Sequence, residues 1–251
     1  MKKALLLLIF FSFSAVSGFT QDIDFVITKY FQAIGGKNRI DTIQNYSVEY
    51  TGSIDDEEVH GTYLNVRPYL FRFEIIKAKT GGITCVAYDG KDGWMSDTRF
   101  GKDSFKPHER FLNARNRGLH SQNFMNYLIY AQENGYVMQL TGLRKIDSTM
   151  CYCIKLQNYE RDMKVECFID VLTFLLKKEV HSDLSVPDND PKKVYEEINY
   201  LNYKPVNGIL LPCKVKRIST ILHTQMIVYH EFSNYQFNQK IEIDELRCEL
   251  K

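Results

Sequence analysis

Residues 61–74 read GTYLNVRPYLFRFE, and this stretch indicates the fold more directly than any other part of the chain. On both sides of Arg67-Pro68, apolar and polar side chains alternate with a period of two residues. That period is typical of half-buried β-strands, because successive side chains of a strand point to opposite faces. Proline lacks a backbone donor and interrupts a strand. The stretch therefore predicts two strands joined by a turn at Arg67-Pro68.

The same alternation recurs along most of the chain on either side of these two strands. Upstream it is carried by Tyr46, Val48 and Tyr50. Downstream, further strands are predicted at ITCVAY and, from Tyr136 onward, at YVMQL, CYCIKLQ, KVECFID, FLLKKEV, VYEEINYLNY, LPCKVKRI and TQMIVYHEF. Strands joined by short turns pair antiparallel. The pattern predicts a mainly β (α+β) fold with one meandering antiparallel sheet, and residues 21–251 form a single domain because no long linker divides them.

Residues 23–34 depart from this period and predict an amphipathic helix. Apolar side chains recur there at spacings of three and four residues, which places them on one helix face. The apolar stripe consists of Ile23, Val26, Ile27, Tyr30, Phe31 and Ile34. Asp22 is placed to cap the first turn, and Gly35-Gly36 to end the helix. We expect the stripe to be buried against the sheet.

A second departure lies near residues 105–135, where the alternation is absent. Apolar side chains there are spaced as one face of a helix, so the sequence predicts a helical insert. They are Phe124, Tyr127, Leu128 and Ala131. The insert is also locally basic, at Lys106, His108, Arg110, Arg115 and Arg117. These charges belong either to a solvated loop and helix or to a patch for acidic lipid headgroups or a partner.

The first 20 residues, MKKALLLLIFFSFSAVSGFT, predict a secretory signal peptide. Lys2 and Lys3 precede an apolar run from Ala4 to Phe13, and small residues follow it. The run is shorter than the roughly 20 apolar residues that span a bilayer, and an uncleaved anchor is the alternative. We expect the cleaved chain to be soluble in the bacterial periplasm. Without Lys2 and Lys3, 30 basic residues would face 31 acidic ones, a net charge of −1 that does not favour nucleic acid.

Neither the cysteines nor the titratable residues form a recognisable reactive motif. The six cysteines allow disulfides in an oxidising compartment, and free buried thiols are the alternative. Cys151 and Cys153 are expected on one face of a strand, where they do not easily bond each other. The six histidines are scattered, as surface or satisfied core residues are, and motifs for nucleophiles, phosphate or metals are absent. The sequence therefore predicts no enzyme, no metal site and no cofactor.

Five segments, read in order across most of residues 25–216, carry a resemblance to a known family. The opening helix YFQAIGGKNRI is followed by IQNYSVEYTG, and GTYLNVRPYLFRFE combines two strands with a turn made of a basic residue and proline. VAYDGKDGW places an Asp-Gly-Lys turn before an aromatic residue, and CFIDVLTFLLKKEV and VNGILLPCKV form a hairpin and a strand entry. In this order they resemble the LolA/LolB superfamily of periplasmic lipoprotein carriers, especially its divergent Bacteroidetes members.

This resemblance implies a strongly curved antiparallel sheet, like an unclosed barrel, wrapped around helices. Helix 23–34 would cover the concave side, where carriers of this family hold acyl chains in an apolar cavity. Candidate ligand-binding residues are Tyr63, Phe71, Phe73 and Trp94 on the strands, with Tyr30 and Phe31 on the helix. Arg67 is either a structural residue of its turn or a latch that holds the helix over the sheet through a hydrogen bond.

Three functional hypotheses follow. The first is a monomeric periplasmic carrier of lipoprotein or lipid acyl chains for transfer to the outer membrane, with a membrane protein as loading partner. The second is an envelope sensor or regulatory binding module that uses the same concave sheet. The third is a hydrolase whose site is assembled from scattered residues. Bound lipid, a bound protein, or turnover that depends on one Asp, Glu or His would distinguish the three.

Overall fold

The computed structural model of the protein describes nine stretches of the chain. They are residues 22–54, 56–67, 70–88, 93–98, 106–107, 126–159, 163–183, 195–221 and 224–246. The predicted signal peptide at residues 1–20, most of the predicted insert and the side chain of Trp94 lie outside the described part of the chain. The signal peptide therefore stays a prediction.

Thirteen strands and two short α-helices make up the regular structure of these stretches. The helices are α1 (Ile23–Ala33) and α2 (Lys37–Asp41), and a 3-10 turn covers Ile243–Leu246. The first arm of strands is β1 (Asn45–Ile54), β2 (Glu57–Val66), β3 (Leu70–Lys77), β4 (Ile83–Tyr88), β5 (Gly93–Asp97) and β6 (Lys106–Pro107). The second arm is β7 (Val137–Ile146), β8 (Thr149–Asn158), β9 (Met163–Asp170), β10 (Leu176–Asp183), β11 (Tyr195–Val206), β12 (Ile209–Ile221) and β13 (Thr224–Phe237).

All of these strands belong to one antiparallel sheet. Its order is β6-β5-β4-β3-β2-β1-β13-β12-β11-β10-β9-β8-β7, so two meanders run outward from the central β1–β13 pair. That pair joins the first and last strands of the described residues, with Tyr46 opposite Phe237. Within the described residues β6 and β7 are the edges and do not pair with each other. The predicted fold, a mainly β chain with a curved, unclosed antiparallel sheet around helices, is confirmed.

Helix α1 lies where its apolar stripe predicted, against the concave side of the sheet. Val26, Tyr30, Phe31 and Ile34 are buried in the main core together with inward-facing strand residues, and Ile27 is half-buried. The side chain of Asp22 caps the helix by accepting a hydrogen bond from the backbone N–H of the second helical residue, at 3.3 Å. Burial of this stripe, rather than intrinsic propensity, stabilises so short a helix.

The end of α1 is tied to the turn between β11 and β12. Gly35 has a φ of 114°, a left-handed conformation that favours glycine. A Cβ at this position would also collide with the backbone oxygen of Gly208. The Leu210 N–H donates to the Ile34 carbonyl at 2.9 Å, and Arg39 Nη1 donates to the Gly208 carbonyl at 2.6 Å. These bonds fix the angle at which α1 crosses the sheet.

Residues 126–135 form successive turns, and the regular helix predicted for this part of the insert is not present there. Side-chain oxygens accept the first N–H groups: Leu128 donates to Asn126 Oδ1, and Tyr127 donates to Glu179 Oε1, both at 3.1 Å. Such bonds compete with the helical pattern. The apolar spacing still identified buried residues correctly, since Tyr127 and Leu128 lie in the core.

Both alternatives for the cysteines occur in this chain. Cys85 is disulfide-bonded. Four cysteines are free thiols: Cys151, Cys153, Cys167 and Cys213. Cys151 and Cys153 share one face of β8, as predicted, and pack with Phe168. Burial raises the pKa of the Cys151 thiol to about 11, so this thiol is protonated and unreactive at neutral pH.

Candidate functional site

A cavity of about 300 Å³ lies between α1, residues 128–133 and the start of β7. We call residues 126–135, which cover one side of it, the wall segment. Most of the lining is apolar: Ile27, Phe31, Leu128, Ile129, Tyr130 and Met138. Gly36 and the polar residues Thr28, Gln32, Lys37, Gln132 and Glu133 complete the lining. An apolar cavity with a few polar groups is the usual form of a site for a small or elongated apolar ligand.

Arg67 connects the wall segment to the sheet and to α2. Its Nη2 donates to Glu133 Oε2 at 2.6 Å, and its Nη1 donates to the Asp41 carbonyl at 3.2 Å. The guanidinium carbon lies 4.5 Å from the ring centroid of Tyr130, a cation–π contact. Burial raises the pKa of Tyr130 to about 12, although the charge of Arg67 opposes this shift. These contacts tie the wall segment to the end of α2 rather than to helix 23–34, so the role of Arg67 as a latch over that helix stays a prediction.

Tyr63 and Phe73, predicted to line the cavity, lie instead in an aromatic cluster with Tyr50, His230 and Phe232. The ring centroids of Tyr63 and Phe73 are 4.4 Å apart, and those of Tyr50 and Tyr63 are 4.9 Å apart. The Tyr63 hydroxyl lies 3.3 Å from Nδ1 of His230. Neither Tyr63 nor Phe73 lines the cavity beside α1, and their predicted contact with a ligand stays a prediction.

The other predicted ligand-binding residues are divided between three places. Phe31 lines the cavity. Tyr30, on the same helix, is buried beside it, and its hydroxyl accepts a hydrogen bond from Asn126 Nδ2 at 2.7 Å. Phe71 packs with Tyr88 in a separate small cluster. Trp94 lies on β5 opposite Ala87, and its predicted contact with a ligand stays a prediction.

Sequence reasoning missed most of the lining. Ile27 belonged to the predicted helical stripe, and Leu128 to the predicted apolar face of the insert. Ile129, Tyr130 and Met138 carried no such signal. Their role depends on where the wall segment crosses α1, and that position is set by contacts between residues far apart in the chain.

A second feature of the concave side is a buried charge network formed by Glu179, His181, Glu196 and Arg217. Glu179 is completely buried, and its Oε2 lies 3.2 Å from His181 Nε2. His181 Nδ1 lies 3.5 Å from Glu196 Oε2, and Glu196 Oε1 lies 3.3 Å from Arg217 Nε. Tyr200 donates its hydroxyl to Glu179 Oε2 at 2.8 Å. The four side chains alternate in charge when His181 is protonated.

The pKa values within this network are shifted in opposite directions. Burial by itself would lower the pKa of His181, but hydrogen bonds and charge from Glu179 and Glu196 outweigh it, so the pKa is raised. Burial by itself would raise the pKa of Glu196, but Arg217 and His181 outweigh it and lower this pKa. Both shifts favour the ionised form of the pair.

Two further findings concern only the described residues. They include no group of three or more His, Cys, Asp or Glu side chains arranged to hold a metal ion. None of their helices has the length and apolar character needed to cross a bilayer.

A half-open β-sheet that wraps around a helix and leaves an apolar cavity defines a class of fold with known members. No family model and no curated protein sequence matches this chain. Among solved structures, it is similar to a LolA superfamily protein, NE2245 from Nitrosomonas europaea, with 14% identity and a TM-score of 0.57. That similarity covers 88% of this chain and 96% of the other.

Two more solved structures share the architecture. A DUF1329 family protein from Desulfovibrio piger ATCC 29098 has 11% identity and a TM-score of 0.52, covering 91% of this chain and 98% of the other. A domain assigned to outer membrane lipoprotein sorting, from Vibrio parahaemolyticus, has 9% identity and a TM-score of 0.50, covering 88% and 94%. The chain therefore has a LolA-like fold, as its segments indicated. At these identities the likeness extends to the fold alone.

Proposed function

We propose that this protein is a non-enzymatic periplasmic carrier that holds an acyl chain of a lipoprotein or lipid in the cavity between α1 and the wall segment. The observation that carries the proposal is the apolar lining of this cavity within a LolA-like fold. The LolA superfamily and lipoprotein-sorting neighbours support it. No covalent step is required, since the work of such a carrier is to keep an apolar chain out of water.

The size of the cavity suits part of an acyl chain. Its volume of about 300 Å³ is at the lower end of the range for small-molecule sites. Each methylene moved from water to an apolar site contributes about 0.8 kcal/mol, so five or so buried methylenes give a reversible complex. Reversibility matters because a carrier must also release its cargo.

The compartment is supported by two independent features. The N-terminal sequence has the order of a secretory signal peptide. Cys85 is disulfide-bonded, and disulfides persist mainly in oxidising compartments such as the periplasm.

Titration with a fluorescent fatty-acyl probe tests the proposal. We expect saturable binding to the parent protein and weaker binding to Met138→Ser, because Met138 lines the cavity. The matched control is Val137→Ser: Val137 is the adjacent residue on β7, is 62% exposed and does not line the cavity. Absence of saturable binding in the parent, or equal loss in both variants, would contradict the proposal.

Native mass spectrometry of the protein purified from the periplasm identifies the natural occupant. Copurified lipid is expected for a carrier. A copurified protein without lipid would instead favour the sensor or regulatory module, whose partner would occupy the same concave side. Loss of turnover on replacing one carboxylate or histidine would favour a hydrolase.

A further inference from the structure

Two members of the charge network, Glu179 and His181, contact Tyr127 at the start of the wall segment. The backbone N–H of Tyr127 donates to Glu179 Oε1 at 3.1 Å, and the ring of Tyr127 meets the ring of His181 edge-on, with centroids 4.7 Å apart. Asn126 extends the connection to α1 through its bond to the Tyr30 hydroxyl. The first residues of the wall segment are therefore held by groups on β10 and α1.

With both carboxylates ionised, the charges of the network balance when His181 is protonated. Glu179 and Glu196 then face His181 and Arg217, two negative charges against two positive ones. With a neutral His181 the same enclosed space holds two carboxylates and one guanidinium. Uncompensated charge in a buried site is strongly unfavourable, so the surrounding residues must rearrange or water must enter.

No other described group near the network supplies a replacement charge. Burial raises the pKa of Cys167 on β9, of Tyr200 on β11, of Tyr127 in the wall segment and of Tyr30 on α1, so all four are neutral at neutral pH. On β13, burial lowers the pKa of His230 to about 3, with the charge of Arg217 adding to the effect, so His230 is also neutral. Ser219 on β12 bonds Glu196 without charge. Tyr136 contacts Tyr127 and carries no positive charge in either of its protonation states.

We propose that protonated His181 locks the wall segment onto the sheet, and that loss of this proton as pH rises frees the segment and widens access to the cavity. The lock concerns the wall segment alone. Its consequence for a ligand rests on the proposed carrier function.

The direction of the pH dependence follows from the two shifts. Because the pKa of His181 is raised, the stabilisation is complete below the ordinary histidine value of about 6.5 and is lost as pH rises through the folded value. Because the pKa of Glu196 is lowered, the network weakens again when pH falls below about 4.5. The wall segment should therefore be held most firmly in mildly acidic solution.

Hydrogen–deuterium exchange of the full chain tests the lock without any ligand. After correction for intrinsic exchange rates, the backbone amides of residues 126–136 should exchange at least about fivefold faster at about pH 8.5 than at about pH 5.5. Peptides from β8 serve as the internal reference and should not change. Equal protection of residues 126–136 at both pH values would overturn the proposal.

Two substitutions separate the role of the proton from simple packing. His181→Asn cannot be charged, so its wall segment should be open at both pH values. Glu179→Gln keeps an oxygen that accepts the Tyr127 N–H but removes one charge, so neutral His181 becomes the balanced state and the pH dependence should flatten. If His181→Asn keeps the pH profile of the parent, the proposal is wrong.

A direct titration covers the case in which these variants do not fold. In the NMR spectrum of the parent, the chemical shifts of the His181 imidazole and of the Tyr127 amide should change with the same pH midpoint. A Tyr127 amide shift that does not follow the titration of the imidazole would refute the lock. The acyl probe distinguishes the two proposals. If exchange of the wall segment depends on pH but the probe does not bind, the lock is supported and the carrier is refuted. If the probe binds but exchange of the wall segment does not depend on pH, the carrier is supported and the lock is refuted.

Discussion

The two halves of the concave face are filled in different ways. Under β1, β2, β3 and β13, stacked rings such as Tyr50, Tyr63 and Phe73 occupy the space in front of the sheet. Under β7 to β12, the space is covered by α1 and the wall segment, and both the cavity and the charge network lie in this half. Aromatic side chains on neighbouring strands point in register and fill space by stacking. A helix and a chain of turns meet a sheet less evenly, and a cavity is left where they meet.

The largest expected effect comes from the aromatic half. Phe73→Ala should lower the free energy of unfolding by about 3–5 kcal/mol, since a buried ring in contact with Tyr50 and Tyr63 is removed. Thermal unfolding measures this loss as a lowering of the Tm by about 2–4 °C for each kcal/mol in a chain of this size. Acyl-probe affinity, measured well below the unfolding temperature, should not change, because Phe73 does not line the cavity.

The Met138→Ser variant should show the opposite pattern, with weakened binding and a smaller loss of stability, because Met138 is only half-buried. If Phe73→Ala abolished probe binding while folded, the separation between a packed half and a binding half would not hold.

This division explains how far the sequence could predict the structure. The strands and α1 follow from local periodicity, so the meander and the buried stripe were predicted correctly. The role of Arg67 as a latch over helix 23–34 stays a prediction, since its contacts reach the wall segment and α2. The network was not predicted, because Glu179, Glu196 and Arg217 lie on three strands that only the folded sheet brings together.

The inner face of the aromatic strands could be recognised as apolar, but the cluster of rings on it could not be predicted. Tyr63 and Phe73 alternate correctly with their polar neighbours, and alternation indicates only which side of a strand is buried. Whether a buried aromatic ring lines a cavity or closes it depends on rings from other strands, such as Phe232, whose centroid lies 5.9 Å from that of Tyr63.

A second prediction concerns Arg67, which joins the two halves. Arg67→Met should lower the free energy of unfolding by about 1–3 kcal/mol, because an ion pair, a backbone hydrogen bond and a cation–π contact are lost together. Lys37→Met removes an exposed ion pair with Asp41 and a cation–π contact 5.4 Å from the ring centroid of Phe31, and should cost less than about 1 kcal/mol. Urea denaturation of both variants measures the difference. Equal costs would mean that Arg67 does not hold the wall segment.

A third prediction places the acid sensitivity of the molecule in the binding half. The lowered pKa of Glu196 contributes stability that is present above pH 4.5 and is lost as pH falls through the folded value. Glu196→Gln should therefore be less stable than the parent near neutral pH and show a flatter decline in acid. Glu58→Gln, at an exposed position of β2, is the matched control and should follow the parent curve. A parallel decline in parent and Glu196→Gln would place the acid response elsewhere.

The smallest expected effect is that of salt on probe binding. It shows whether apolar burial or charge in the cavity contributes more to the affinity for the probe. Lys37 and Glu133 are oppositely charged residues of its lining, so their fields largely cancel for an incoming anion. Methylene burial has no ionic component, and raising NaCl from about 0.1 M to about 1 M reduces the Debye length from about 10 Å to about 3 Å. The dissociation constant of a fatty-acyl probe should then change by less than about threefold, whereas recognition of its carboxylate by Lys37 would weaken binding more steeply. Lys37→Gln distinguishes apolar burial from recognition by Lys37. If apolar burial determines the affinity for the probe, this variant should bind the probe as tightly as the parent. A steep salt dependence that disappears in Lys37→Gln would mean that the charged lining, and not the apolar wall, selects the ligand.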